Sequence, residues 1–171
     1  GEFYQLDFEM AFATQEDVFR VAEEVLYDTF TKFSEKRVSP PPFRRIPYAE
    51  CMLNYGTDKP DLRNPLVIRD LTDFFMDVDF APFKNRPVRG IVAPNCAGMP
   101  RSFFERMLNF ATGIGMKGLG YISVLTGMEL KGPIVKFLSA EKQQELIHLL
   151  GLKEDDTLFF ICDTPKLVDN L

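Results

Sequence analysis

Nine consecutive residues, Tyr55-Gly56-Thr57-Asp58-Lys59-Pro60-Asp61-Leu62-Arg63, interrupt this chain between stretches rich in Phe, Leu and Val. The run packs two acids, two bases, a glycine and a proline together. Gly56 tolerates a positive φ and Pro60 fixes its own, so the chain must bend stiffly here. The charges nearly cancel, which predicts local Asp/Lys and Asp/Arg pairing rather than a patch of one sign. Any fold of this chain has to accommodate a well-pinned surface turn at this point.

The 171 residues are 46% hydrophobic and 26% charged, ordinary globular material with enough apolar mass for one or two small cores. No apolar run approaches the roughly 20 residues that span a bilayer, so no membrane role is expected. Cys51, Cys96 and Cys162 are far apart and odd in number, which argues against a disulfide framework and a Cys-x-x-Cys metal site and fits a reducing cytoplasm. His148 is the only histidine, so a Ser-His-Asp triad or a histidine metal centre within this chain is excluded. It is expected to be structural or exposed on a helix. No catalytic residue and no metal ligand is assigned. The chain runs from Gly1-Glu2-Phe3 straight into strand-like alternation and ends at Asp169-Asn170-Leu171 within an expected helix, so it reads as an excised piece of a longer protein.

From Phe3 to Phe12 the residues alternate with period two: Tyr4, Leu6, Phe8, Met10 and Phe12 on one side, Gln5, Asp7 and Glu9 on the other. This predicts a strand with one buried face. Its polar face fits either a half-solvated outer surface or one wall of a pocket for a cationic group. Thr14, with Asp17 three residues on, caps a helix whose apolar positions run from Val18 to Phe33. Pro40-Pro41-Pro42 is an extended connector and Phe43–Ile46 a short strand. Pro47 starts a helix through Tyr48, Cys51, Met52 and Tyr55 that Gly56 stops.

Beyond Asn64-Pro65 short elements alternate with Gly and Pro. Val88–Val92, Leu119–Val124 and Leu158–Cys162 read as strands. Ser102 and Glu105 form a capping box for a helix ended by Gly115, and Ser139 caps another over Ala140–Leu150, stopped by Gly151. This order predicts a two-layer α/β sandwich with a mainly antiparallel sheet. The glycines of 113–120 lack Walker spacing and precede a strand, so they read as a tight helix-to-strand turn rather than a phosphate loop. Between Lys84 and Lys136 stand eight bases (Lys84, Arg86, Arg89, Arg101, Arg106, Lys117, Lys131, Lys136) against Glu105 and Glu129, a local +6 in a chain of −5 overall. Two readings stand side by side: a phosphate-facing patch, or a solvated surface on which these residues point apart.

The run Tyr55 to Arg63 resembles the Tyr-Gly-Ser-Asp-Lys-Pro-Asp-Leu-Arg signature of bacterial-type aspartyl-tRNA synthetases, with Thr57 in the Ser position; Tyr48-Ala49-Glu50-Cys51-Met52 is similar to the stretch before it. Gly1 to Glu9 resembles the second motif 2 strand of class II synthetases of the aspartate group, Glu-Phe-Thr-Gln-Ile-Asp-Val-Glu, departing at Tyr4 and at Gly1, where Pro is common. Met116 to Ile122 and Leu130 to Leu138 resemble the inserted GAD-type domain of those enzymes. A related module occurs in tRNA-dependent amidotransferases.

The resemblance implies an α+β fold: a truncated class II antiparallel sheet segment in residues 1–65, then the inserted domain in 66–171. It implies that Gln5 and Asp7 hold the α-ammonium of aspartate, through an amide oxygen and a carboxylate with charge assistance. Glu9 matches a family acid. Asp58, Lys59, Asp61 and Arg63 either fix the domain junction or approach the substrates. Arg86, Arg89, Arg101, Arg106, Lys117, Lys131 and Lys136 are candidate tRNA phosphate contacts. The function implied is aspartate–tRNA ligase, with ATP and Mg²⁺ used by a cytoplasmic, homodimeric parent that binds tRNA, aspartate and ATP. The family's motif 2 and motif 3 arginines lie outside this stretch, so the segment alone is expected to be inactive and to hold no cofactor. The alternative is a non-catalytic tRNA-contacting or spacer module of an amidotransferase-like protein.

Overall fold

The computed structural model describes residues 1–164 and Val168. The chain divides into two units, Gly1–Ile46 and Pro47–Leu171.

In the first unit, helix α1 spans Gln15–Phe33. Thr14 is its N-cap: the Thr14 hydroxyl accepts from Asp17 N at 3.4 Å and the Asp17 carboxylate accepts from Thr14 N at 3.0 Å, the reciprocal bonds of a capping box. After the helix the chain returns along it. Phe43 N donates to Glu23 Oε1 at 3.1 Å, and Arg45 grips both Glu16 oxygens at 2.7 and 2.8 Å with its guanidinium 4.6 Å above the Phe19 ring. These side-chain contacts replace the ladder of the short strand expected at 43–46, which does not form.

The strand expected over Phe3–Phe12 does not form either. All of residues 1–12 are exposed, Phe3, Leu6 and Phe8 included. The pattern is sound, but a strand exists only in a ladder, and this segment pairs with no described strand. The same shortage shows in α1. Val18, Leu26 and Phe30 of its apolar stripe are exposed, and no residue of this unit is buried.

The second unit opens with α2, Tyr48–Tyr55, which Gly56 terminates in the left-handed conformation at φ 68° as expected, its N–H reaching Met52 O. Five strands follow: β1 (Arg69–Asp70), β2 (Val88–Ala93), β3 (Gly120–Val124), β4 (Leu130–Lys131) and β5 (Thr157–Cys162). They form one sheet in the order β1-β2-β5-β3-β4, every pairing antiparallel. Among the described residues the α-helices that accompany it are α3 (Thr72–Met76), α4 (Arg101–Gly113) and α5 (Ala140–Leu150).

The register Gly90↔Phe160↔Gly120 and Val92↔Leu158↔Ile122 puts alternate residues of the three long strands on one face. That face carries Val88, Ile122, Val124, Leu158 and Phe160. It packs against Leu71, Phe74 and Phe75 around α3 and against Leu146 and Ile147 of α5. Phe75, Phe83 and Phe160 sit with ring centroids 4.6 to 5.9 Å apart, so several of the abundant phenylalanines are core packing. The other face presents Tyr121 and Phe159, and Phe103 and Phe104 of α4 lie against them.

Ser139 caps α5 through Lys142 N and Gly151 closes it at φ 61°, both as expected. For α4 the expectation is wrong in detail. The N-cap is Pro100, without a side-chain bond, and Ser102 lies inside the helix. Glu105, which would have closed the box with Ser102, instead pairs with Arg101 at 2.8 Å across one turn. The helix expected at Asp169–Leu171 falls outside the described residues. No helix among the described residues is long and apolar enough to cross a membrane.

Candidate functional site

The turn after α2 is held by its own side chains. Lys59 N donates to Thr57 Oγ1 at 3.2 Å, Arg63 N to Asp61 Oδ1 at 3.0 Å, and Leu66 N to Asn64 Oδ1 at 3.0 Å. The thiol of buried Cys51 reaches Thr57 O at 3.1 Å. The charges pair locally: Lys59 Nζ with Asp58 Oδ2 at 2.9 Å, and Arg63 in a two-pronged grip on Asp61 through Nε at 2.8 Å and Nη2 at 2.6 Å. The bond from the Arg63 side chain, then that from its backbone N–H, holds the Asp61 carboxyl at a pKa of about 2. Lys59 lowers that of Asp58 in the same way. All four side chains are exposed, so these pairs order the turn more than they stabilise the fold.

Gln5 and Asp7 lie on the exposed N-terminal segment, two residues apart. The seven candidate phosphate-binding cations separate into different settings. Arg89, its side chain only 15% exposed, donates to Asp70 Oδ1 at 2.5 Å and Thr72 Oγ1 at 3.0 Å and so ties β2 to β1. Lys117 reaches buried Asp163 at 3.2 Å. Lys136 lies 5.1 Å from the ring of Phe137. Among the described residues Arg86, Arg106 and Lys131 have no ion-pair partner.

Besides a cleft of about 420 Å³ that Arg86 and Arg89 share with Asp70 and Asp73, two clefts free of acidic lining residues gather these cations. One of about 360 Å³ brings Arg86 and Lys117 together beside Gly118, Phe160 and Cys162. Burial pushes the Cys162 thiol pKa up, against the opposing effect of Arg86. The Asp163 pKa is lowered, first by the Thr164 N–H at 2.7 Å and then, against the cost of burial, by Lys117. The other cleft, of about 500 Å³, brings Arg101 and Lys131 together with Phe104 and Tyr121. Arg106 and Lys136 line neither. The aromatic pair is absent from the residues singled out in sequence. Its only signal there is a Phe-Phe step at the start of a helix and a lone Tyr in a strand, indistinguishable from packing.

Among the described residues no group of three His, Cys, Asp or Glu side chains could hold a metal ion. The Mg²⁺ implied by the resemblance is therefore assigned no ligand here. The three cysteines are free.

An antiparallel α+β chain with a charge-paired turn and scattered basic residues belongs to a broad class, and comparison with known families narrows it. The family model for class II tRNA synthetases (D, K and N) matches residues 1–171, and the chain belongs to that family. Among curated relatives, it is 52% identical over 171 residues to the aspartate–tRNA(Asp/Asn) ligase of Rickettsia africae (strain ESF-5) and equally to that of Rickettsia felis (strain ATCC VR-1525 / URRWXCal2). It is 51% identical over 168 residues to that of Rickettsia prowazekii (strain Madrid E). These alignments take in 95 to 97% of this chain but 28% of each relative, so the chain spans little more than a quarter of their length.

Proposed function

We propose that this chain is part of an aspartate–tRNA ligase that activates aspartate with ATP as aspartyl-adenylate, releasing pyrophosphate, and passes the aspartyl group to tRNA, releasing AMP. The observation that carries this reading is the match, at about half identity over 97% of the chain, to relatives named aspartate–tRNA(Asp/Asn) ligase. In this reading residues 1–65 belong to the catalytic domain. Residues 66–171 form the inserted GAD-type domain, a two-layer sandwich in its principal core with α4 added on the far face of the sheet. The parent is a cytoplasmic homodimer, and Mg²⁺ when bound offsets phosphate charge.

Gln5 and Asp7 hold the aspartate ammonium. A carboxylate and an amide oxygen two residues apart, on one face of the strand that the alternation predicts, would supply acceptors for its donors. Asp58, Lys59, Asp61 and Arg63 fix the junction between the domains, since their charges are spent on one another. Arg86, Arg106 and Lys131 are the best-placed phosphate contacts, because none forms an ion pair among the described residues, although Arg86 also helps to lower the Asp163 pKa.

In the full-length protein, aspartate-dependent ATP–pyrophosphate exchange tests this directly. Asp7→Ala should raise the aspartate KM by about tenfold to a hundredfold or abolish exchange, the scale of a lost hydrogen bond to a charged group. Unchanged exchange kinetics would remove Asp7 from the site, and no exchange in the unsubstituted protein would remove the ligase. The relatives' name carries both tRNA(Asp) and tRNA(Asn), so charging should be measured on each.

A further inference from the structure

The cations of residues 84–136 form no single patch, but two of them share a cleft with an aromatic pair. Phe104 of α4 stacks on Tyr121 of β3 with centroids 4.6 Å apart and planes 29° apart. Both lie on the face of the sheet away from the principal core. Lys131 of β4 is in register with Ser123, so it stands on that face two positions from Tyr121. Arg101 opens α4 one turn before Phe104 and forms the opposite rim. The cleft they line measures about 500 Å³, within the range of small-ligand sites, and no acidic residue lines it. Lys131 has no ion-pair partner among the described residues, and Arg101 engages Glu105 through Nε alone.

We propose that this cleft holds one unpaired nucleotide of an RNA strand, its base against the surface of Tyr121 and Phe104 and a flanking phosphate on Lys131 and Arg101. The inference rests on the reading that tRNA is a substrate of the whole protein. The ligand class follows from what each wall can satisfy. A small carboxylate would engage the cations and leave the aromatic wall idle. An apolar peptide would cover the wall and desolvate two cations without compensation. A nucleotide uses both, stacking its base on the aromatic wall and setting a phosphate on the cations. A base inside a duplex is already stacked and paired, so an unpaired position is required. The Ser123 hydroxyl is already bonded to Thr157 at 3.0 Å and leaves little to read a base edge. Base preference is therefore weak.

The full-length protein, irradiated with a single-stranded hexauridylate carrying one 5-iodouridine and mapped by peptide mass spectrometry, tests this. The expected crosslink lies at Tyr121 or Phe104, is competed by unlabelled single-stranded RNA but not by an RNA duplex, and falls at least about tenfold in Lys131→Glu, where a phosphate-binding charge is reversed. Lys153→Glu, at an exposed position outside the cleft, should leave it unchanged. Lys131 is exposed, so its variant should fold, and unchanged strand amide exchange would verify that. Crosslinks absent from both aromatics, equal competition by duplex, or a yield insensitive to Lys131→Glu would overturn the assignment. Aspartylation assayed on the same preparations separates the two ideas. Charging without the crosslink removes the cleft alone, and the crosslink without charging keeps the cleft and removes the ligase.

Discussion

Asp61 and Arg63 sit two residues apart in a turn, and their side chains and backbone close on each other within 3.0 Å. That geometry lowers the Asp61 pKa from 3.8 to about 2. A carboxylate whose folded value lies below its unfolded value adds stability that is present above the unfolded value and lost as pH falls through the folded one. Here the window runs from about 3.8 down to about 2, and solvent around both side chains keeps the effect small. Carboxyl NMR should give Asp61 a titration midpoint near 2. Arg63→Ala should move it most of the way back toward the ordinary value, the remaining backbone N–H retaining the rest. A midpoint already near the ordinary value in the unsubstituted chain would show that the pair does not persist in water. Pairs such as this are legible in sequence because the partners are neighbours. Arg89–Asp70 and Lys117–Asp163, separated by 19 and 46 residues, are not, and each gives a candidate phosphate contact an acidic partner within the fold.

Elements with their own punctuation are the ones the sequence reveals. Thr14 and Asp17 mark the start of α1, Ser139 that of α5, and Gly56 and Gly151 the ends of α2 and α5, because cap chemistry is local. The two-residue strands β1 and β4 and the five-residue α3 carry no such signal. They exist through their partners: β1 through β2, 19 to 21 residues on, β4 through β3 across a short hairpin, and α3 through the shared core. Gly132 shows how tightly such a short element is set. A methyl there would run into the carbonyl oxygen of Tyr121 and lie 3.2 Å from Ile122 Cα, and neither backbone atom moves without disturbing β3. Gly132→Ala should therefore destabilise the β3–β4 pair by about 1 to 3 kcal/mol, the scale of overpacking. At Gly118 the same substitution meets nothing within 4 Å and should stay within about 0.5 kcal/mol. Amide exchange of β3 in the full-length protein distinguishes them. Equal protection in both variants would mean that the strand edge yields without cost.

At the scale of the molecule, the two units differ in what they bury. The second has a continuous core in which Leu71, Val88, Ile122, Leu146 and Leu158 are at most 1% exposed. The first buries no residue, yet it carries a capped nineteen-residue helix and a stretch of perfect apolar alternation. Pattern without burial is a mismatch of energies. An amphipathic helix gains most of its stability from packing its apolar face, and an unpaired strand gains almost nothing. The sequence thus encodes for residues 1–33 a packing surface that their own unit, Gly1–Ile46, does not complete, and relatives more than three times as long have further chain to do so. Hydrogen exchange resolves this. In a protein of residues 1–171 alone, the amides of β2 and β5 should be protected, while those of residues 1–12 exchange at nearly unprotected rates and those of α1 only slightly more slowly. In the full-length protein, protection should rise by orders of magnitude over residues 3–12 and along α1, with little change in β2 and β5. The proposed roles of Gln5 and Asp7 depend on that outcome, because only a strand fixed in a sheet holds their side chains on one face at a spacing of roughly 7 Å. If residues 3–12 stay unprotected in the full-length protein, the alternation is not a strand, and the ammonium site loses the scaffold that would orient it.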